Sequence, residues 1–138
     1  MSRIRVLIVE DFEPFRHLIC SMLGKVFHLQ IICQLSDGLD AVQKAEELKP
    51  DLILLDIGLP RLNGIAAARR IRKLAPDSKI IFVSQESSPD VVHEALSFGV
   101  LGYVLKTSAG TDLLAAVEAV FEGSQFVSSS LRVAPGSV

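Results

Sequence analysis

Five short apolar runs, each followed by a segment of helical periodicity, constrain this chain more than any other feature. The runs are Ile4 to Val9, Leu29 to Leu35, Leu52 to Leu55, Ile80 to Val83 and Tyr103 to Leu105. Most are rich in Val, Ile and Leu, and several are continuous rather than alternating. A continuous apolar strand is one covered on both faces, as in a parallel sheet. Between the runs lie stripes at helical spacing. Phe15, Leu18, Ile19, Met22 and Leu23 form the first, and Ala41, Ala45 and Leu48 a weaker second, ended by Pro50. Ile65, Ala68, Ile71 and Leu74 form a third, stopped by Pro76. Val91, Val92, Ala95 and Leu96 form a fourth, stopped near Gly99. Leu113, Leu114, Val117, Val120 and Phe121 form a fifth, stopped at Gly123. Strand and helix alternate five times, so right-handed crossovers place helices on both faces of a parallel sheet. The fold class expected is α/β, a single flavodoxin-like (βα)5 domain with five parallel strands in the order 2-1-3-4-5.

Composition limits the function. The 138 residues suffice for one domain, and 49% are apolar, enough for a buried core. A formal net charge of −2 argues against a free-standing nucleic-acid binder. Cys20 and Cys33 lie in apolar stretches and read as reduced, packed thiols rather than a disulfide framework. No leader is expected before Ile4, and no run approaches the roughly 20 apolar residues of a membrane span. A soluble, cytoplasmic protein is the expectation.

In this topology ligands bind at the carboxyl ends of the strands. The first run ends in Glu10-Asp11, the third in Asp56, the fourth in Ser84 and the fifth in Lys106. The second ends in Ser36-Asp37, at the sheet edge. A single Asp after a strand is ordinarily a helix cap or turn residue, and Asp37 and Asp40 read that way. Three acids, a hydroxyl and a lysine converging on the central strands do not. Crowded carboxylates repel, and oxygen ligation with room for waters and a phosphate suits Mg²⁺ or Mn²⁺. A carboxylate held there can attack phosphorus and form an acyl phosphate. The charge developing on the phosphoryl oxygens needs a cation and donors, which Lys106 and Ser84 can supply.

With these residues in view, the chain resembles the receiver domain of two-component response regulators over nearly its whole length. The resemblance rests on Val-Glu-Asp at 9–11, Leu-Leu-Asp-Ile-Gly-Leu-Pro at 54–60, Asn63-Gly64, Ser84, and Gly-Tyr-Val-Leu-Lys at 102–106. It implies that Asp56 is the phosphoacceptor, served by a sensor histidine kinase. Glu10, Asp11 and Asp56 would hold the metal together with the backbone carbonyl of Gly58. Lys106 would contact the phosphoryl group, and Ser84 and Tyr103 would be the switch pair, the ring entering space that Ser84 vacates. A receiver of this kind is no enzyme in the ordinary sense; it catalyses only its own phosphorylation and dephosphorylation.

Residues 58–72 resemble the subfamily carrying a LuxR-type helix-turn-helix output domain, as do Gly123 through Leu131. On this reading residues 1–127 are the receiver and 128–138 a linker or disordered tail toward an absent output domain. Phosphorylation would promote a homodimer, and DNA would be bound only through the missing C-terminal module. Thr107 departs from the family, many members having proline after the lysine, and a cis peptide there costs far more without it. Gly58 and Glu86 occupy positions that vary in the family.

Other readings fit less well. A haloacid-dehalogenase-type phosphatase needs a second acid two residues after the nucleophile, where this chain has Gly58. An FMN module needs a Ser-, Thr- and Gly-rich loop after its first strand, where this chain has Glu10-Asp11-Phe12-Glu13-Pro14. A degenerate receiver would lack some key positions, and here all are filled. Arg61, Arg69, Arg70 and Arg72 read as a solvated basic face. His17, His28 and His93 show no metal-ligand spacing.

Overall fold

A computed structural model describes residues 3–131. The elements follow the expected alternation: β1 (Ile4–Val9), α1 (Glu13–Gly24), β2 (Leu29–Leu35), α2 (Gly38–Leu48), β3 (Leu52–Leu55), α3 (Gly64–Leu74), β4 (Lys79–Ser84), α4 (Pro89–Leu96), β5 (Gly102–Leu105) and α5 (Ala109–Phe121). A 3₁₀ turn at Lys106–Ser108 joins β5 to α5. After α5 come a two-residue strand, β6 (Phe126–Val127), and a second 3₁₀ turn, Ser129–Leu131.

The sheet is wholly parallel, but it has six strands in the order β2-β1-β3-β4-β5-β6, not five. The additional strand pairs Phe126 with Gly102 and Val127 with Tyr103. Two residues are too short to register as a periodic apolar run, and the pairing exists only because α5 returns the chain to the open edge of β5.

The continuous apolar strands do face two layers. Leu7 and Val9 of β1, Ile53 and Leu55 of β3, and Phe82 of β4 pack with α2, α3 and α4. Val6, Ile8, Leu52, Leu54, Ile81 and Val83 point the other way, to Ile19 and Leu23 of α1 and to Leu113, Ala116, Val117 and Val120 of α5. Each of these three strands thus sends alternate side chains to opposite cores, as the two-residue period requires. Strand β2, at the other edge, exposes Gln30 and Gln34.

Local chemistry sets the helix starts that frame the site. Asp37 caps α2, its carboxylate accepting from the Asp40 N–H at 2.8 Å. Asn63 caps α3 in the same way through the Ala66 N–H, 2.9 Å. Gly64 then lets α3 approach β3 closely, for a methyl there would overlap the Asp56 carbonyl oxygen. Cys20 and Cys33 are free thiols. The peptide after Lys106 is trans, as are the other described peptide bonds. Among the described residues no helix is long and apolar enough to cross a membrane.

Candidate phosphoryl-acceptor site

Four strands deliver their last residues to one cleft at the carboxyl edge of the sheet. Asp11, Asp56, Gly58, Ser84 and Lys106 line it together with Phe12, Phe15 and Glu86, around a volume of about 490 Å³. That is room for a phosphoryl group with a hydrated ion. Glu10 and Asp56 are buried, 1% and 6% exposed, whereas Asp11 is open to solvent. The carboxylates of Glu10, Asp11 and Asp56 bring one oxygen each within 4.8 Å of one another. Every site residue predicted from the sequence therefore falls in or beside the cleft, except that Tyr103 sits behind it in the core.

Lys106 reaches across the cleft. Its Nζ lies 2.8 Å from Oε1 of Glu10 and 3.2 Å from Oδ2 of Asp56, with the Phe15 ring centre 5.0 Å away. The Asp56 contact is also a hydrogen bond. The Glu10 contact is close but poorly aligned, and it leaves buried Oε1 without a hydrogen-bond partner. The other Glu10 oxygen accepts from the Phe12 N–H at 3.0 Å. Burial pushes the Glu10 carboxyl above its ordinary range, further than Lys106 and the Phe12 N–H can draw it back. Burial acts against the Lys106 ammonium as well, yet the ion pair with Glu10 and the charge of Asp56 outweigh it and hold the pKa above the usual value. One cation thus stands among three acids, and a buried carboxylate oxygen has no hydrogen bond. The site has a negative surplus, and its donor set fits a small hard cation.

The remaining groups are arranged around Glu86. Ser84 Oγ accepts from the Glu86 N–H at 3.1 Å, and the Tyr103 hydroxyl donates to the Glu86 carbonyl at 2.6 Å. The Tyr103 ring is wholly inside. It packs against Phe82, ring centres 6.1 Å apart. Sequence reasoning did not place Glu86 between Ser84 and Tyr103, because the contacts are made by backbone atoms that carry no residue signature. Phe15 was counted only in the apolar stripe of α1. Ser128, placed in the tail, is wholly buried against β5; the rest of that tail from Arg132 lies outside the described residues.

Fold and site together define a doubly wound α/β domain with an acidic, lysine-bridged cleft at the switch point of its sheet. Residues 6–118 match the response regulator receiver domain model. The chain is 32% identical to the response regulator GacA of Pseudomonas viridiflava over 128 residues, covering 93% of this chain and 60% of that protein. It is 37% identical to the response regulator VraR of Staphylococcus epidermidis over 120 residues, covering 87% and 57%. Among solved structures, a LuxR-family two-component response regulator from Aurantimonas sp. superposes with a TM-score of 0.88 at 25% identity, covering 94% of this chain and 93% of that one. The receiver domain of a response regulator from Mycobacterium tuberculosis does so with a TM-score of 0.83 at 26% identity, covering 89% and 99%. The chain belongs to the response regulator receiver domain family, the phosphorylation-responsive half of two-component signalling. It spans about three fifths of the length of the curated relatives it matches.

Proposed function

We propose that Asp56 accepts a phosphoryl group from a sensor histidine kinase, and that this changes the surface the domain offers to other molecules. The observation that carries the reading is the placement of the Asp56 carboxylate: buried, 3.2 Å from the Lys106 ammonium, and grouped with the carboxylates of Glu10 and Asp11. In the transfer, an Asp56 carboxylate oxygen forms a bond to phosphorus. The phosphorus–nitrogen bond of a phosphohistidine donor breaks, and its electron pair stays on the imidazole. Lys106 and the Ser84 hydroxyl donate to the phosphoryl oxygens as charge builds on them. Glu10, Asp11, Asp56 and the Gly58 carbonyl would hold Mg²⁺, or Mn²⁺ in its place. The ion, when bound, supplies positive charge against the same oxygens. Return to the resting state is attack of water on phosphorus, restoring the carboxylate and releasing phosphate. In this sense the domain catalyses only reactions of its own aspartate.

Ser84 and Tyr103 remain the proposed switch, with Glu86 between them. A Ser84 hydroxyl drawn to a phosphoryl oxygen pulls on the Glu86 N–H, and the Glu86 carbonyl carries the pull to Tyr103. Phosphorylation then fixes an already inward ring, so a bias of a few kcal/mol suffices. Homodimerisation is the expected consequence. The receiver unit is taken as residues 1–127. Residues 128–138 lead toward an output module, with Ser128 to Leu131 still packed on the sheet edge. DNA binding and transcriptional control belong to that module, supported by the greater length of the relatives, and a cytoplasmic setting follows from the kinase partner.

The test is incubation with acetyl phosphate or phosphoramidate and Mg²⁺, read by intact mass. One phosphoryl mass on the wild type and none on Asp56→Asn is the expected result. Labelling of the variant would remove the assignment.

A further inference from the structure

Ser128 lies at the sheet edge, outside the cleft, and is wholly buried. Its N–H donates to the Tyr103 carbonyl at 3.0 Å. Its Oγ accepts from the Leu105 N–H at 3.0 Å, a buried contact. One residue therefore satisfies two backbone groups at the end of β5, the Tyr103 carbonyl and the Leu105 N–H. Strand β6 is too short to do this by itself, since its ladder stops opposite Tyr103. Without the hydroxyl, the Leu105 N–H would be a buried donor with no partner.

Leu105 directly precedes Lys106, where the backbone leaves the strand and enters the 3₁₀ turn. The Lys106 ammonium must land between two carboxylates, 2.8 and 3.2 Å away. A long side chain holds such a target only if its own backbone is fixed. On the inner side β4 does this, with Ser84 in register with Leu105. On the outer side Ser128 does.

We propose that Ser128 is a positioning residue for Lys106: its hydroxyl pins the end of β5 and so sets the ammonium over Asp56. The proposal rests on the reading of Asp56 as phosphoacceptor and goes beyond it. The C-terminal continuation of the chain then takes part in building the site, through a residue far from the cleft in sequence and outside it in space.

The experiment compares initial rates of phosphorylation of the 138-residue chain by acetyl phosphate, followed by intact mass over a range of Mg²⁺. Ser128→Ala is expected to slow labelling about tenfold through misplacement of the cation, with the Mg²⁺ half-saturation unchanged because the three acids lie on other strands. Ser128→Thr, which keeps the hydroxyl, is expected to stay within about twofold of wild type. In a Lys106→Ala background, Ser128→Ala is expected to cost less than about twofold more, since residues acting through one group are not additive. If Ser128→Ala does not fold, Ser128→Cys, a weaker acceptor of similar size, takes its place. Wild-type rates in the Ala or Cys variant would overturn the proposal, as would the same loss repeated in the Lys106→Ala background. Failure of the parent reading looks different: the wild type itself would not be labelled, or Asp56→Asn would be.

Discussion

At the scale of single residues, the site is organised by one cation serving several acids. Lys106 cannot neutralise Glu10, Asp11 and Asp56 together, so labelling is expected to depend on divalent metal. Asp11, the exposed member of the group, is the proposed ligand whose removal least disturbs the core. Asp11→Ala is expected to keep the fold and to lower the labelling rate at millimolar Mg²⁺ by about 100-fold or more, by loss of a ligand. Equal rates in Mg²⁺ and in excess EDTA for the wild type would contradict the metal requirement. Tyr103 yields a second prediction. Burial pushes its phenol up to about 12, against about 10 for an unfolded chain. The native state therefore holds the proton more tightly. The stability this gives is fully present below pH about 10 and is lost as pH rises through about 12. Since the chain has one tyrosine, phenolate absorbance reports it alone. The titration midpoint is expected near 12 in native protein, falling to about 10 in denaturant; a native midpoint near 10 would mean that the ring is not held inside.

At the scale of elements, the geometry of the cleft depends on how closely α3 packs behind β3. Asn63 caps the helix, and its neighbour Gly64 has no room for a side chain against the Asp56 carbonyl. The two adjacent residues do different work, and substitutions separate them. Asn63→Ala removes a side-chain acceptor at a helix start and is expected to cost about 1 kcal/mol in urea unfolding. Gly64→Ala forces the backbone of Asp56 to move and is expected to cost about 3 kcal/mol. It should also slow phosphorylation well beyond the effect of the Asn63 change. Similar, small losses for both would show that α3 can shift without disturbing the acceptor. The edge element β6 belongs to this scale too: short as it is, it pairs with the outer side of the strand that carries Tyr103 and leads into Lys106.

At the scale of the whole molecule, the proposed phosphorylation of Asp56 is expected to be passed on as a change of association. Phosphorylated wild type is expected to elute as a dimer in size-exclusion chromatography with light scattering, while Asp56→Asn under the same treatment stays monomeric. The net charge of −2 and the absence of a helix-turn-helix among the described elements lead to a further expectation. The 138 residues by themselves should show no sequence-specific, salt-sensitive shift of DNA. A specific shift would mean that the α3 basic face, with Arg69 and Arg70, is a nucleic-acid site. In the structure that face is partly engaged within the protein, Arg69 lying over the Phe98 ring at 4.4 Å and 3.7 Å from Glu94.

The alternation of apolar runs and helical stripes determined the architecture, because a strand buried on both faces must be apolar at every position. The acids, serine and lysine of the cleft were legible for a related reason: each ends a central strand, so topology alone gathers them. What only the tertiary structure decided are contacts without a residue signature. The Glu86 backbone joins Ser84 to Tyr103, and any residue has the same backbone atoms. The Tyr103 ring lies inward because the core around Phe82 accepts it. Strand β6 exists because α5 ends where the open edge of β5 has carbonyls and N–H groups to satisfy. Ser128, in a stretch that composition marks as linker, became part of the sheet by meeting that same requirement.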